Sequence, residues 1–309
     1  MAAITAKDVA ELRKKTGIGM MECKKALVEA DGDMEAAVKI LREKGELKDQ
    51  SKIESRIAAD GVVDIMKEGN VTAIIEVNSE TDFVAKNESF KEFVKNLLKC
   101  IINNKPENVD ALMAGQYIDG TCTVDEKLKE EIFKIGEKLS IRRFAVVEGT
   151  TSTYIHGAGS IGVIAKFDTD VADKDGFDEF AKNIALQIGA YPTPYLCREQ
   201  VPASVIEEEK NIIKAQLAND PKMANKPEKV LDGIIMGKLG KFYENNCLVD
   251  MAYVKEDNMK VGQYVANTAK ALGGNITISE FYRFEKGEGI QKREEDFAAE
   301  IEKLAGGNK

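Results

Sequence analysis

The sequence has one histidine, His156, among 309 residues. A metal centre built from several imidazoles is therefore excluded, and the HExxH signature is missing as well. Its five cysteines, Cys23, Cys100, Cys122, Cys197 and Cys247, are odd in number, scattered and without a CxxC pair. That pattern fits reduced thiols in a cytosol and argues against a disulfide framework. No low-complexity tract occurs, and no run approaches the roughly 20 apolar residues of a membrane span. The opening MAAITAKDVAEL lacks a basic start followed by a long apolar stretch, so the expected location is the cytoplasm, with no membrane partner. Positive charge is also in deficit: 44 Lys and Arg stand against 53 Asp and Glu, for a net charge of -9. Such a field repels phosphate backbones, and no direct nucleic-acid binding is expected.

Catalytic signatures are equally scarce. DGIIMGKLGK at 232–241 holds a GK pair. A phosphate loop needs GxxxxGK followed by Ser or Thr; here the spacing up to Gly237 is one residue short and Leu239 takes the hydroxyl position. AGSIG around Ser160 imitates a nucleophile elbow only loosely, because Ala158 replaces its first Gly and no second His can serve as base. Carboxylates are abundant enough that composition leaves a metal site open, but no compact DxD spacing stands out, so no metal and no cofactor is expected.

What is present describes an ordinary folded protein, with 43% hydrophobic and 31% charged residues, long enough for two or more compact units. Residues 1–45 read as a three-helix domain. Thr5 with Asp8 caps the first helix, Val9 and Leu12 form its apolar side, TGIGMM breaks it, and DGD at 31–33 separates the second helix from a third lined by Ala37, Ile40 and Leu41. Met20 and Met21 either fill this small core or offer an adaptable patch to a partner. Residues 46–57 are polar throughout and read as a linker.

From residue 60 the period changes to that of strands. GVVDIM, the turn EGN and VTAIIEV form a hairpin, and a helix over 88–102 follows with Phe90, Phe93, Val94, Leu97, Leu98 and Ile101 as its buried stripe. The arrangement then recurs: the strand SIGVIAKF at 160–167 leads through a polar loop to FDEFAKN at 177–183, against FKEFVKN at 90–96, with five of seven positions identical. The reading is α+β, with core subdomains at 58–143 and 144–285, each an antiparallel sheet covered by helices. A helical hairpin at 202–245 is inserted in the second. Val205, Ile206, Ile212, Ile213 and Leu217 line one of its helices, and Val230, Leu231, Ile234 and Phe242 the other; it folds back on its own core or pairs with another copy as a homodimer. A helix near 261–272, a last strand ITISEFYRF, and a C-terminal module at 286–309 with Phe297, Ile301 and Leu304 on one side complete the chain.

The two copies differ in the loop after the strand. Twelve residues separate Val77 from Phe90, whereas nine separate Phe167 from Phe177. The longer loop, SETDFVAKNESF at 79–90, alone contains an aromatic, so the scaffold does not require Phe83. That ring either folds back on the sheet or protrudes as an anchor for a partner's pocket.

Together these stretches resemble the translation elongation factor Ts family over essentially the whole chain. The likeness lies in LRKKTGIGMMECKKALVEADGDMEAAVKILREKG at 12–45, AADGVV at 58–63, EVNSETDFVAKNESF at 76–90, KIGEKLSIRR at 134–143, YIHGAGSIGV at 154–163 and FYRFEKGEGIQKREEDFAAE at 281–300. It implies a ubiquitin-associated-like N-terminal domain and a protein that is not an enzyme but a guanine-nucleotide exchange factor for elongation factor Tu. Thr81, Asp82, Phe83 and Val84 match the family's TDFV element, which enters the GTPase and disturbs its magnesium site. Ile135 and His156 match further partner contacts, as do Leu12, Arg13, Met20 and Met21 of the helical domain. GAGSIG at 157–162 is longer than the family's run there. Two other readings compete: an enzyme with Asp82 as a metal ligand, which predicts turnover without a partner, and an adaptor that needs only residues 1–45.

Overall fold

Helices and small antiparallel sheets share the chain in the computed structural model, which describes residues 4–44, 55–221, 223 and 226–291. The α+β class expected from the sequence is the one that forms. The chain divides into two compact units, Met1–Asp64 with Ile75–Phe144 and Glu285–Lys309, and Ile65–Ile74 with Ala145–Phe284.

In the first unit, α1 (Ala6–Thr16) starts at a capping box in which the Thr5 hydroxyl accepts from the Asp8 amide and the Asp8 carboxylate accepts from the Thr5 amide. The Thr5 backbone amide holds the exposed Asp8 carboxyl below its ordinary range. Gly17, at φ 70°, closes the helix by donating to the Arg13 carbonyl, a left-handed position that glycine fills without strain. α2 (Met20–Glu29) and α3 (Met34–Glu43) complete a bundle whose core is Leu12, Ile18, Cys23, Leu27, Ala37 and Leu41.

Strands β1 (Asp60–Glu68) and β2 (Val71–Ser79) turn at Gly69, and β3 (Ser140–Glu148) joins on the far side of β2. Between them lie α4 (Asp82–Lys86), α5 (Glu88–Asn104), α6 (Val109–Ala114) and α7 (Val124–Ile135). The stripe Phe90, Phe93, Val94, Leu97, Leu98 and Ile101 is buried along α5, as its spacing requires. Phe133 of α7 packs against the three-helix core.

The second unit repeats the pattern. β4 (Thr150–His156) pairs with β5 (Ile161–Thr169) from Thr150 opposite Phe167 to His156 opposite Ile161, and β8 (Ile276–Glu285) completes the order β4-β5-β8. α8 (Phe177–Ala190) and α11 (Val261–Leu272) cover the sheet, with Phe167, Phe177 and Phe180 clustered at ring spacings of 5.7 to 6.0 Å. β6 (Ala252–Tyr253) and β7 (Glu256–Lys260) form a separate two-stranded ribbon.

The hairpin insertion is α9 (Ala203–Ala218) and α10 (Glu228–Asn246). Its inner face is in part the expected one, with Ile213, Leu217, Leu231 and Ile234 packed in the core around Ile235. Ile213, Leu217, Ile235 and Leu239 are buried, while Ile212 and Val230 are exposed. Gly233, Gly237 and Gly240 interrupt the apolar period of α10, and Ile235 and Leu239, which the spacing did not single out, are buried there as well. The segment with Phe297, Ile301 and Leu304, and most of the 46–57 linker, lie outside the described residues.

Candidate functional site

The loop after β2, read from the sequence only as a loop, folds into one turn of helix. A five-residue helix has little stability of its own, and α4 is held from outside. Thr81, the residue before it, is extended at φ -123° and ψ 156° and makes no side-chain cap to its own helix. Its hydroxyl donates instead to Glu137 Oε1 at 2.7 Å and its amide to Glu137 Oε2 at 3.0 Å. Ser79 Oγ donates to the Thr81 carbonyl, and the Lys138 amide donates to Glu80 Oε1 at 2.6 Å. Val84 is buried beneath the turn, and Asn87 caps α5 by accepting from the Ser89 amide.

These anchors leave Phe83 outside. Its ring is 80% exposed, the most exposed large hydrophobic side chain among the described residues, which settles the choice between folding back and protruding. Asp82 pairs with Lys86 at 2.5 Å, and that bond holds its carboxyl below the ordinary range. Phe83 edges an open groove of about 680 Å³ whose other walls include Phe93, Tyr117, Lys127, Lys134 and Ile135. Ile135 is the last residue of α7 and half-buried.

A second groove, of about 350 Å³, lies against Lys127 and Lys134 as well and is lined by Met20, Met21 and Arg13. Met20 and Met21 are 51% and 63% exposed, because Gly19 ends the extended connection and starts α2 with both side chains outside the bundle. They do not fill the core. Arg13 donates to Glu130 Oε2 at 3.0 Å, so its guanidinium links α1 to α7. Leu12, expected at the contact surface, has no exposed surface here, since it shares the inward face of α1 with Val9 and Thr16. It packs in the bundle core with Ile18, Cys23 and Leu27.

In the second unit, His156 is exposed at the end of β4, and its Nδ1 lies 2.8 Å from the Tyr154 hydroxyl. Ser160 Oγ donates to the His156 carbonyl, so the hydroxyl in the elbow-like AGSIG serves a turn. DGIIMGKLGK lies inside α10, not on a strand-to-helix loop. Among the described residues no group of three His, Cys, Asp or Glu could hold a metal, and no helix is long and apolar enough to cross a membrane.

Sequence reasoning missed Glu137 and Lys138. Both lie more than fifty positions from the residues they hold, and no local pattern marks a carboxylate that accepts from a distant Thr. The near-duplicate copies were the available signal: both return helices are twelve residues long and both end at a left-handed glycine, Gly136 or Gly273.

Residues 80–288 match the family model described as Elongation factor TS. The chain is 42% identical over 301 residues to the Elongation factor Ts of Syntrophotalea carbinolica, an alignment that spans 96% of this chain and 98% of that relative. It is 44% identical over 306 residues to that of Clostridium kluyveri, spanning 97% and 98%. To that of Trichlorobacter lovleyi it is 43% identical over 313 residues, spanning 98% and 99%.

Proposed function

The chain belongs to the elongation factor Ts family, and from that premise we propose that it binds elongation factor Tu in the cytoplasm and speeds the release of GDP. A role in translation elongation comes with the family. The exchange step rests on one observation above all, the exposed Phe83 on a turn pinned at both ends. An aromatic held rigidly in water loses little conformational entropy when it enters a pocket, so its burial is available to distort the partner.

The target is the magnesium site of the GTPase. Mg²⁺ requires near-ideal octahedral coordination and bridges the nucleotide phosphates to the protein. A wedge that moves nearby helices slightly therefore weakens ion and nucleotide together. Phe83 is that wedge, Val84 anchors the turn, and Thr81 fixes its start. Asp82, already paired with Lys86, acts as a hydrogen-bonding group at the rim and not as a base. Met20, Met21 and Ile135 in the first unit, and His156 in the second, supply further contacts, with Arg13 bracing α1 against α7.

By linkage, factor and nucleotide each lower the other's affinity for the GTPase by the same factor, typically about 1–3 kcal/mol, so arriving GTP expels the factor. No covalent step is required. The test is release of labelled GDP from elongation factor Tu, with and without the chain. Acceleration by wild type that falls when Phe83→Ala replaces it supports the proposal; no acceleration, or an equally active variant, refutes it.

A further inference from the structure

The two copies contain an internal control for the loop that carries Phe83. Counting back from Gly136 and Gly273, α7 and α11 align residue for residue from Val124 with Val261 to Ile135 with Leu272. Glu137 then corresponds to Gly274 and Lys138 to Asn275. On the strand side, Ser79 and Thr169 end β2 and β5, so Glu80 corresponds to Asp170 and Thr81 to Val171.

One clasp is common to both. In the first copy the Lys138 amide donates to Glu80 at 2.6 Å; in the second the Asn275 amide donates to Asp170 at 2.7 Å. An acid just after the central strand thus accepts from the turn that leads into the outer strand, and the scaffold is closed in the same way twice. The pair Thr81 and Glu137 has no such counterpart. At its place the second copy has Val171, buried, and Gly274, where even a Cβ would lie 2.4 Å from the Asp170 carboxylate and the Val171 side chain.

The second carboxylate is therefore an addition made only where an aromatic is exposed. Both its oxygens are taken by one residue, which fixes direction as well as distance. Thr81 lies two residues before Phe83, and Glu137 two residues after Ile135, another apolar residue on the same groove. Resting on the exchange reading above, we infer that Glu137 is a positioning residue that sets the spacing between Phe83 and Ile135 and so presents both to one partner surface. It acts through Thr81, whose amide and hydroxyl both donate to it. A mispositioned anchor can cost as much as one or two orders of magnitude in rate.

The experiment uses the full chain in four forms besides wild type: Glu137→Gln, Thr81→Val, Phe83→Ala and Phe83→Ala/Glu137→Gln. Each is read by the saturating rate of labelled GDP release from elongation factor Tu and by amide hydrogen exchange over residues 79–90 without partner. Glu137→Gln and Thr81→Val should each slow release roughly tenfold and speed exchange across α4 while the thermal midpoint barely moves. The double variant should be no slower than Phe83→Ala alone, since positioning has no value once the positioned ring is gone. An additive loss in the double variant overturns the inference, as does unchanged exchange across α4. If wild type itself fails to speed GDP release, the exchange reading fails instead, and the hydrogen-exchange arm still decides whether Glu137 holds the turn.

Discussion

After β2 the chain takes ten residues to reach Phe90, folds a turn of helix and exposes an aromatic; after β5 it takes seven to reach Phe177 and exposes none. Around these loops the two copies share their packing. Phe93 stacks on Tyr117 at 6.3 Å and Phe180 lies 5.3 Å from Tyr264. Asn96 is hydrogen-bonded to Tyr117, and Asn183 donates to Tyr264 at 3.0 Å. Each tyrosine comes from a Gly-Gln-Tyr sequence, in a loop in the first copy and on α11 in the second. A duplicated scaffold with the same ring-and-amide contacts can tolerate different loops, and under the proposed exchange role the departures between copies are where that role would reside.

The copies also differ in one charge pair. Glu76 and Arg143 are bonded at 2.6 Å in the first; the same two positions in the second hold the reverse pair, Lys166 and Glu280, at 3.9 Å and partly exposed. Glu76 has no exposed surface and also accepts from Arg142 and from the Gly287 amide. Burial pushes its pKa up, but the Gly287 amide and the two arginines outweigh that and leave it below the ordinary carboxylate range. Gly287 itself, at φ 69°, has no room for a side chain, since a Cβ would lie 2.2 Å from the Ala59 carbonyl.

The largest stability effect is expected here. Glu76→Gln should cost about 3 kcal/mol, because it strands buried donors and arginine charge, and should shift the denaturant midpoint accordingly. With its folded pKa depressed, Glu76 contributes stability that is present above its unfolded pKa and lost as pH falls through the folded value. The midpoint of wild type should therefore drop below the ordinary carboxylate range, and that drop should shrink in Glu76→Gln. Next in size is Gly274→Ala, expected to cost about 1–3 kcal/mol through overpacking against Val171; a neutral result in thermal melts would mean the second return turn could have carried a Glu137 equivalent. Smallest is Lys166→Gln, below about 1 kcal/mol for a partly exposed pair at 3.9 Å; a loss matching that of Glu76→Gln would erase the contrast between the two pairs.

Much of this architecture is legible from period and repetition. The α5 stripe, the β1–β2 hairpin, α11 and the last strand follow from spacing, and the three extra residues of its loop mark Phe83 as dispensable to the scaffold, while its exposure is read only from the folded structure. The α4 turn was not legible, because five residues carry no helical period and its stability comes from Glu137. The buried side of Leu12 was, in contrast, readable from Val9 and Leu12 on one helical face, and the surface role assigned to it by resemblance conflicts with that period. Contacts such as Thr81 with Glu137 or Glu76 with Gly287 join residues far apart in the chain, and only the folded structure brings them together.

The claim that function resides in the first loop and scaffold in the second is tested most directly by saturating GDP-release rates from elongation factor Tu for Phe83→Ala and Lys174→Ala, the latter an exposed residue of the second loop. The rate for Phe83→Ala should fall by at least about tenfold, with Lys174→Ala indistinguishable from wild type. Equal rates for the two variants, whether both intact or both impaired, would contradict it.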